Sequence, residues 1–93
     1  RNQVAAALGA NPGEIYFTGC GTESDDTVLF GAAERYAKKG DHIITTNVEH
    51  HAILHACAAL EKRGLRVTYL PVDKDGLITP EQVRDAITDK TNL

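Results

Sequence analysis

The sequence predicts an α/β fold with a mainly parallel sheet, and three features of its pattern support this. Short runs rich in β-branched and aromatic residues alternate with longer runs whose apolar residues recur at helical spacing. The strand-like runs recur about every 20 to 25 residues, which leaves room for one crossover helix between neighbours. Two helical runs end alike, with two cations and a glycine at 38–40 and 62–64. Together these features are typical of right-handed βαβ units.

The first two elements are a helix and a short strand. Residues 1–8 form an alanine-rich helical run that Gly9 ends, with Pro12 just beyond. Residues 14–18 are predicted as the first strand, because the β-branched and aromatic side chains in Glu-Ile-Tyr-Phe-Thr favour extended structure.

A longer helix is predicted from about Glu23. Its apolar stripe, at helical spacing, comprises Val28, Leu29, Ala32 and Tyr36. Lys38 and Lys39 suit the negative end of a helix, and Gly40 is predicted to accept a left-handed exit from it.

The same unit then repeats. Residues 42–46, His-Ile-Ile-Thr-Thr, form the second predicted strand, and a helix follows from about His50 until 62–64. The residues predicted on its buried face are Ile53, Leu54, Cys57 and Leu60. Residues 66–72 form the third strand, and the Asp-Lys-Asp-Gly that follows is a turn.

The last helix has strong start signals. Thr79 is the predicted N-cap, Pro80 occupies the first helical position, and Gln82 can complete a capping box.

Composition excludes several classes of protein. The 93 residues carry 10 Lys and Arg against 13 Asp and Glu, a net charge of −3, with no basic cluster that suggests nucleic-acid binding. No apolar run reaches the roughly 20 residues that span a bilayer. Cys20 and Cys57 are too few for a disulfide framework or a CxxC zinc site, so a reduced, cytoplasmic setting is the default.

The two ends indicate a piece of a longer protein. The chain contains no methionine, opens in a helical run without a capping residue, and closes at Thr-Asn-Leu, where a further strand could start. We therefore expect residues 1–93 to be a single segment of a larger domain, incomplete at both ends.

The turn Gly-Cys-Gly-Thr, residues 19–22, is the first candidate site. Backbone N–H groups at a helix start carry partial positive charge and suit a phosphate, and Thr22 adds a hydroxyl donor. The turn is neither GxGxxG nor a P-loop. The alternative is that Thr22 merely caps a helix, whose first acids, Glu23, Asp25 and Asp26, would repel a phosphate. Cys20 is interpreted as a turn residue, because no local base would activate it.

The histidines after the second strand are the second candidate. His50 follows a strand on the carboxyl edge of the sheet, where ligands of open α/β sheets gather. It could stack on an aromatic ligand, or it could only cap its helix or pack in the core. His51 and His55 have the i, i+4 spacing that can share a metal, but no further ligand is obvious. A solvated histidine pair is the favoured interpretation, and no metal site is predicted.

Taken together, these motifs resemble the NifS/IscS-type cysteine desulfurases, in the class V group of fold-type I pyridoxal-phosphate enzymes. The resemblance covers nearly the whole chain and is strongest in GTES, HIIT, EHHAIL and VTYLPVD. It implies a fragment of the three-layer large domain. It also implies that the Gly21 backbone and Thr22 hold the phosphate of pyridoxal 5′-phosphate, and that His50 stacks on its ring and helps to move protons.

The resemblance further implies an activity. Such enzymes are dimers that remove sulfur from L-cysteine, leaving L-alanine and a persulfide for iron–sulfur cluster assembly or other sulfur transfer. The aspartate facing the pyridine nitrogen, the cofactor-linking lysine and the nucleophilic cysteine belong to later segments, so no catalytic residue is assigned here. Cys20 and Asp26 depart from the glycine and asparagine usual in the family. The family's first strand lies far from the next two, so we expect residues 14–18 to lack a neighbour.

Three alternatives remain at this point. The parent protein could be another class V enzyme, a selenocysteine lyase or an aminotransferase. It could be a non-catalytic α/β module that binds a partner. A metal site at His51 and His55 is the third alternative.

Overall fold

The structure, a computed structural model, describes all 93 residues. Its helices and strands, in chain order, are α1 (Asn2–Leu8), α2 (Gly21–Arg35), β1 (His42–Thr46), α3 (His51–Lys62), β2 (Arg66–Leu70) and α4 (Pro80–Ala86), with a 3-10 turn at Pro12–Glu14. None of the helices combines the length and apolar character needed to cross a membrane.

Strands β1 and β2 form a parallel pair, in register from His42 opposite Arg66 to Thr46 opposite Leu70. Helix α3 connects them, which confirms the predicted parallel βαβ unit. The carboxyl-terminal residues extend the sheet on the other side of β1, where Asn92 N–H donates to His42 O at 2.9 Å and Ile44 N–H donates to Leu93 O at 2.9 Å. Strand β1 therefore lies at the centre of the sheet.

Helices cover both faces of this sheet, which confirms the three-layer prediction. On one face Ile43, only 1% exposed, packs against buried residues of α2 and α3, namely Leu29, Ala33, Ala56, Cys57 and Leu60. On the other face Ile44 and Leu70 look toward Val83 and Ile87 across a cavity of about 350 Å³. The buried core thus lies mainly on the α2 and α3 side.

Helix α2 differs from its prediction at both ends and in its buried stripe. It begins at Gly21 and ends at Arg35, before the two lysines. Leu29 and Ala33 are buried, whereas Val28 and Tyr36 are exposed. The predicted stripe is right at Leu29 and wrong at Val28 and Tyr36, because helical spacing alone does not fix which side of a mixed surface meets α3.

Gly40 has a different role from the predicted left-handed exit. Positive φ angles occur at Gly9, Gly64 and Gly76, but not at Gly40. A Cβ at position 40 would instead collide with the backbone of Lys90. Gly40 is therefore required by the close approach of the segment that extends the sheet beside β1.

The predicted strand at 14–18 is wrong. Glu14 belongs to the 3-10 turn, and Ile15 is extended but pairs with neither β1 nor β2. Tyr16 and Phe17 are 79% and 65% exposed. Strand propensity acts through pairing and packing, so a segment without a neighbour gains nothing from its β-branched and aromatic residues. The lack of a neighbour agrees with the expectation from the resemblance.

The remaining elements follow their predictions closely. Strand β1 has the predicted bounds, β2 ends at Leu70 rather than 72, and Gly64 closes α3 at a φ of 98°. Thr79 Oγ1 accepts from Gln82 N–H at 3.2 Å, and Thr79 N–H donates to Gln82 Oε1 at 2.8 Å, which confirms the capping box of α4.

Candidate functional site

The turn before α2 does not use Thr22 as its cap. Cys20 is the N-cap residue, in an extended conformation, and no side chain caps the helix. Thr22 lies inside the first turn because the helix begins two residues earlier than predicted. The capping interpretation of Thr22 is therefore wrong.

The start of α2 leaves three successive backbone donors without a partner in the chain. Ser24 N–H donates to Cys20 O at 3.2 Å, but the N–H groups of Gly21, Thr22 and Glu23 reach no protein acceptor. A Cβ on Gly21 would meet no atom within 4 Å, so the space beside the Gly21 Cα is open. Such an array, at the positive end of a helix of 15 residues, suits an anion.

The other two helices that follow strands or turns are capped by side chains. His50 Nδ1 accepts from Ala52 N–H at 3.1 Å at the start of α3, and Thr79 caps α4. The chain therefore places capping side chains before α3 and α4 and leaves the donors of α2 free.

The side chains of Glu23 and Ser24 form hydrogen bonds to the turn that precedes α2. Glu23 Oε2 accepts from Gly19 N–H at 2.7 Å, and the hydroxyls of Thr18 and Ser24 lie 2.5 Å apart. Thr18 Oγ1 also donates to Cys20 O at 3.0 Å. The sequence prediction treated Glu23 only as a repelling charge and missed this bracing contact. The only sign of this contact in the sequence is that Glu23 lies four residues after Gly19.

A groove between α2 and α3 continues from this turn. Thr22 and Asp26, one helical turn apart, line it on one side, and Ala52, His55 and Ala56 line it on the other. Its volume is about 270 Å³. The start of α2 is thus brought against the first turns of α3, although His50 itself does not line the groove.

His50 is both a cap and an exposed ring. Because Nδ1 accepts the Ala52 N–H, a neutral His50 carries its proton on Nε2. The structure therefore shows the capping role and leaves the outward nitrogen as a donor.

The remaining histidines and cysteines have simpler surroundings. The rings of His51 and His55 lie 5.5 Å apart, and no group of three or more potential ligands is placed to hold a metal. Cys57 is completely buried, and burial, followed by the charges of Glu61 and Glu49, raises the pKa of its thiol. This confirms that Cys57 is a core residue.

Known proteins resemble this chain along its whole length. The cysteine desulfurases IscS of Methanosarcina thermophila and of Clostridium botulinum (strain Kyoto / Type A2) are 55% and 53% identical to it over 93 residues. Those residues are 100% of this chain but 23% of each relative, so the chain spans about a quarter of their length.

Solved structures agree with these relatives. A NifS-like protein superposes with a TM-score of 0.88 at 39% identity, covering 97% of this chain and 25% of the other. SspA in complex with cysteine superposes with a TM-score of 0.80 at 40% identity, covering 97% and 26%.

The family comparison covers every residue described above. The family model for class V aminotransferases matches residues 1–93, including the turn at the start of α2 and the capped start of α3. The chain therefore belongs to the class V aminotransferase family.

Proposed function

We propose that residues 1–93 form the phosphate-binding part of a cysteine desulfurase that uses pyridoxal 5′-phosphate. The observation that carries this proposal is the start of α2, where the N–H groups of Gly21, Thr22 and Glu23 have no acceptor in the chain. The desulfurase activity is inferred from the IscS relatives at 55% and 53% identity.

The residues present fit the cofactor's phosphate. Gly21 and Thr22 offer backbone donors beside open space, and the Thr22 hydroxyl can add another. Of the three acids expected to repel the phosphate, Glu23 has its carboxylate bound to Gly19 N–H. We therefore propose that this turn, the phosphate cradle, holds the phosphate.

His50 has the second role in the proposal. Its ring is exposed at the start of α3, and its Nδ1 is fixed by Ala52 N–H. A ring held in this way can stack on the cofactor and use its Nε2 to hold or move a proton.

In the proposed reaction, the cofactor supplies an electron sink when bound. The carbon–sulfur bond of L-cysteine breaks, a proton replaces the sulfur, and the products are L-alanine and a persulfide on an enzyme cysteine. No external oxidant is needed, because the sulfur passes directly to the thiolate. Cys57 is buried and does not suit the nucleophile. The resemblance to the cysteine desulfurases implies that the nucleophilic cysteine and the cofactor-linking lysine belong to later segments, so we propose neither Cys20 nor Cys57 for that role.

The proposed setting follows from the same relatives. We propose a cytoplasmic homodimer that passes its sulfur to an iron–sulfur scaffold or another acceptor protein. Neither nucleic acid nor a membrane is a proposed partner.

The experiment that tests the proposal replaces Thr22 with valine in the complete polypeptide that carries this segment. Valine keeps the shape and removes the hydroxyl, so we expect the Kd for pyridoxal 5′-phosphate to rise about tenfold or more, as for a hydrogen bond to a charged group. Absorbance titration measures the Kd, and release of alanine and sulfide from L-cysteine measures the activity.

Thr27→Val is the matched control, because the Thr27 hydroxyl donates to Glu23 O at 2.6 Å, one turn further into the helix. We expect it to leave the Kd unchanged. Equal binding by Thr22→Val and the wild type would exclude Thr22 as a phosphate ligand. Release of alanine from selenocysteine alone would assign the protein to another class V activity.

A second substitution tests the charge beside the cradle. Asp26 lines the groove one turn after Thr22, so Asp26→Asn should remove a repulsion of about 0.5 to 1 kcal/mol and tighten cofactor binding two- to fivefold. The gain should shrink as salt is added, because exposed charges are screened.

Asp25→Asn is the control with the same change of charge. Asp25 lines a different cavity, with Ile43 and Ile53, and not the groove that Thr22 and Asp26 share. Equal tightening by both variants would show that only net charge matters and that Asp26 has no specific position at the site.

A further inference from the structure

The first turn of α2 contains free backbone donors and side chains that bond to the segment before it. Gly21, Thr22 and Glu23 keep their N–H donors free. The side chains of Glu23 and Ser24 bond to residues before the helix, Glu23 to Gly19 N–H and Ser24 to the Thr18 hydroxyl. The motif GTES thus combines three free backbone donors with two side chains that hold the preceding turn.

We propose that Glu23 is a positioning residue, which fixes the Gly19–Cys20 turn so that the free N–H groups face a phosphate. This inference rests on the proposed function. The bond from Gly19 N–H to Glu23 Oε2 is 2.7 Å long, within the range of charge-assisted hydrogen bonds, which are about twice as strong as neutral ones. This bond links Glu23, in the first turn of α2, to Gly19, which precedes the helix.

Charge alone gives the opposite expectation. A carboxylate in the first turn of a helix satisfies the helix dipole and repels a phosphate. In this structure the Glu23 carboxylate accepts the Gly19 N–H, whose dipole points its positive end at the carboxylate from outside the helix. The bond also removes the Gly19 N–H from the donors available to an anion, which leaves those of the helix start.

The identity of residue 19 fits the same arrangement. A Cβ at Gly19 would lie 3.1 Å from Glu23 Oε2, tighter than ordinary contact, so a side chain there would press on the bound carboxylate. The φ angle of Gly19 is not positive, so its backbone conformation does not by itself require glycine. Gly19 therefore makes room for the Glu23 carboxylate.

Ser24 braces the turn independently. Its hydroxyl lies 2.5 Å from that of Thr18 and 3.4 Å from Cys20 O. Both contacts tie the first turn of α2 to the segment before it, on which Glu23 also acts.

The test compares pyridoxal 5′-phosphate with pyridoxal, which lacks the phosphate, in the complete polypeptide. We expect Glu23→Ala to raise the Kd for pyridoxal 5′-phosphate about tenfold, consistent with loss of one charged hydrogen bond, and to change the Kd for pyridoxal less than twofold. Glu23→Gln should stay within about threefold of the wild type, because its amide oxygen can accept the same N–H.

Gly19→Ala provides a second variant that keeps the Glu23 charge. Its Cβ should displace the carboxylate and weaken binding of pyridoxal 5′-phosphate by several-fold, again without a change for pyridoxal. This variant tests the bond if Glu23→Ala does not fold.

Several outcomes would overturn the inference. Tighter binding of the phosphate by both Glu23 variants would show that repulsion dominates, and equal weakening for both ligands would show a general structural role. If the wild type binds pyridoxal 5′-phosphate more tightly than pyridoxal and Glu23→Ala keeps this preference, the role of Glu23 is overturned but the proposed phosphate cradle stands. A wild type without that preference would overturn the proposed cradle as well.

Discussion

Gly40→Ala is expected to destabilise the fold by about 3 kcal/mol, at the upper end for overpacking in a close-packed site. The added Cβ would overlap the carbonyl oxygen of Lys90 and lie 2.6 Å from its carbonyl carbon. These are backbone atoms, so no side-chain rotation relieves the overlap. The same backbone is bonded to the sheet, because His42 N–H donates to Lys90 O at 3.0 Å.

Relief of the overlap would require residues 90–92 to move away from β1. That movement would break the His42 bond and the 2.9 Å bond from Asn92 Nδ2 to Gly40 O. The substitution therefore loosens the strand-like segment that makes β1 central. Urea unfolding, followed by far-UV circular dichroism, measures the change in the free energy of unfolding.

Gly31→Ala is the matched control. Gly31 lies within α2, and a Cβ there would meet no atom within 4 Å. Alanine at this position should stabilise the helix by about 0.5 to 1 kcal/mol, since glycine is entropically costly in a helix. The interpretation of Gly40 is contradicted if both variants change stability in the same direction.

Elements with strong local signals were predicted well. Strand β1 matched residue for residue, and the capping box of Thr79 and Gln82 marked the start of α4. In both cases the deciding interactions lie within the segment or between near neighbours, so sequence pattern contains them.

Features that depend on distant residues were missed. Gly40 is set by Lys90, 50 positions away, and residues 14–18 have strand-like composition but no partner. His42 is buried with both ring nitrogens satisfied, because each lies 2.7 Å from a hydroxyl, one on Thr68 and one on Thr91. No local pattern indicates a histidine shared by adjacent segments of a sheet.

The candidate site was predictable in part. The glycines and Thr22 identified the turn, but its capping state depends on where the helix begins, which sequence places only to within a few residues. The Glu23 bond depends on a side chain folding backwards, and its charge alone suggested the opposite effect.

Substitutions at His50 should separate its cap from its ring. Asparagine is among the best N-cap residues, so His50→Asn should keep the stability of α3 within about 0.5 kcal/mol and lose the aromatic contact. Phenylalanine keeps a ring but cannot accept from Ala52 N–H, so His50→Phe should lose about 1 kcal/mol of stability. Cofactor binding should follow the ring, weakening about three- to tenfold only in His50→Asn.

Neither the cap kept by His50→Asn nor the ring kept by His50→Phe should be enough for the proposed desulfurase activity. Asparagine and phenylalanine cannot move a proton at neutral pH, so both variants should lose about 100-fold in kcat if Nε2 of His50 takes part in proton transfer. Unfolding in urea, absorbance titration with pyridoxal 5′-phosphate and alanine release provide three separate readouts. Full activity in His50→Asn would leave helix capping as the only role of His50. Full activity in His50→Phe would exclude proton transfer and leave stacking on the cofactor as its only role besides capping. We expect both variants to lose activity, His50→Asn to lose cofactor binding but not stability, and His50→Phe to lose stability but not binding. That combination of results indicates that His50 caps α3, contacts the cofactor and transfers the proton.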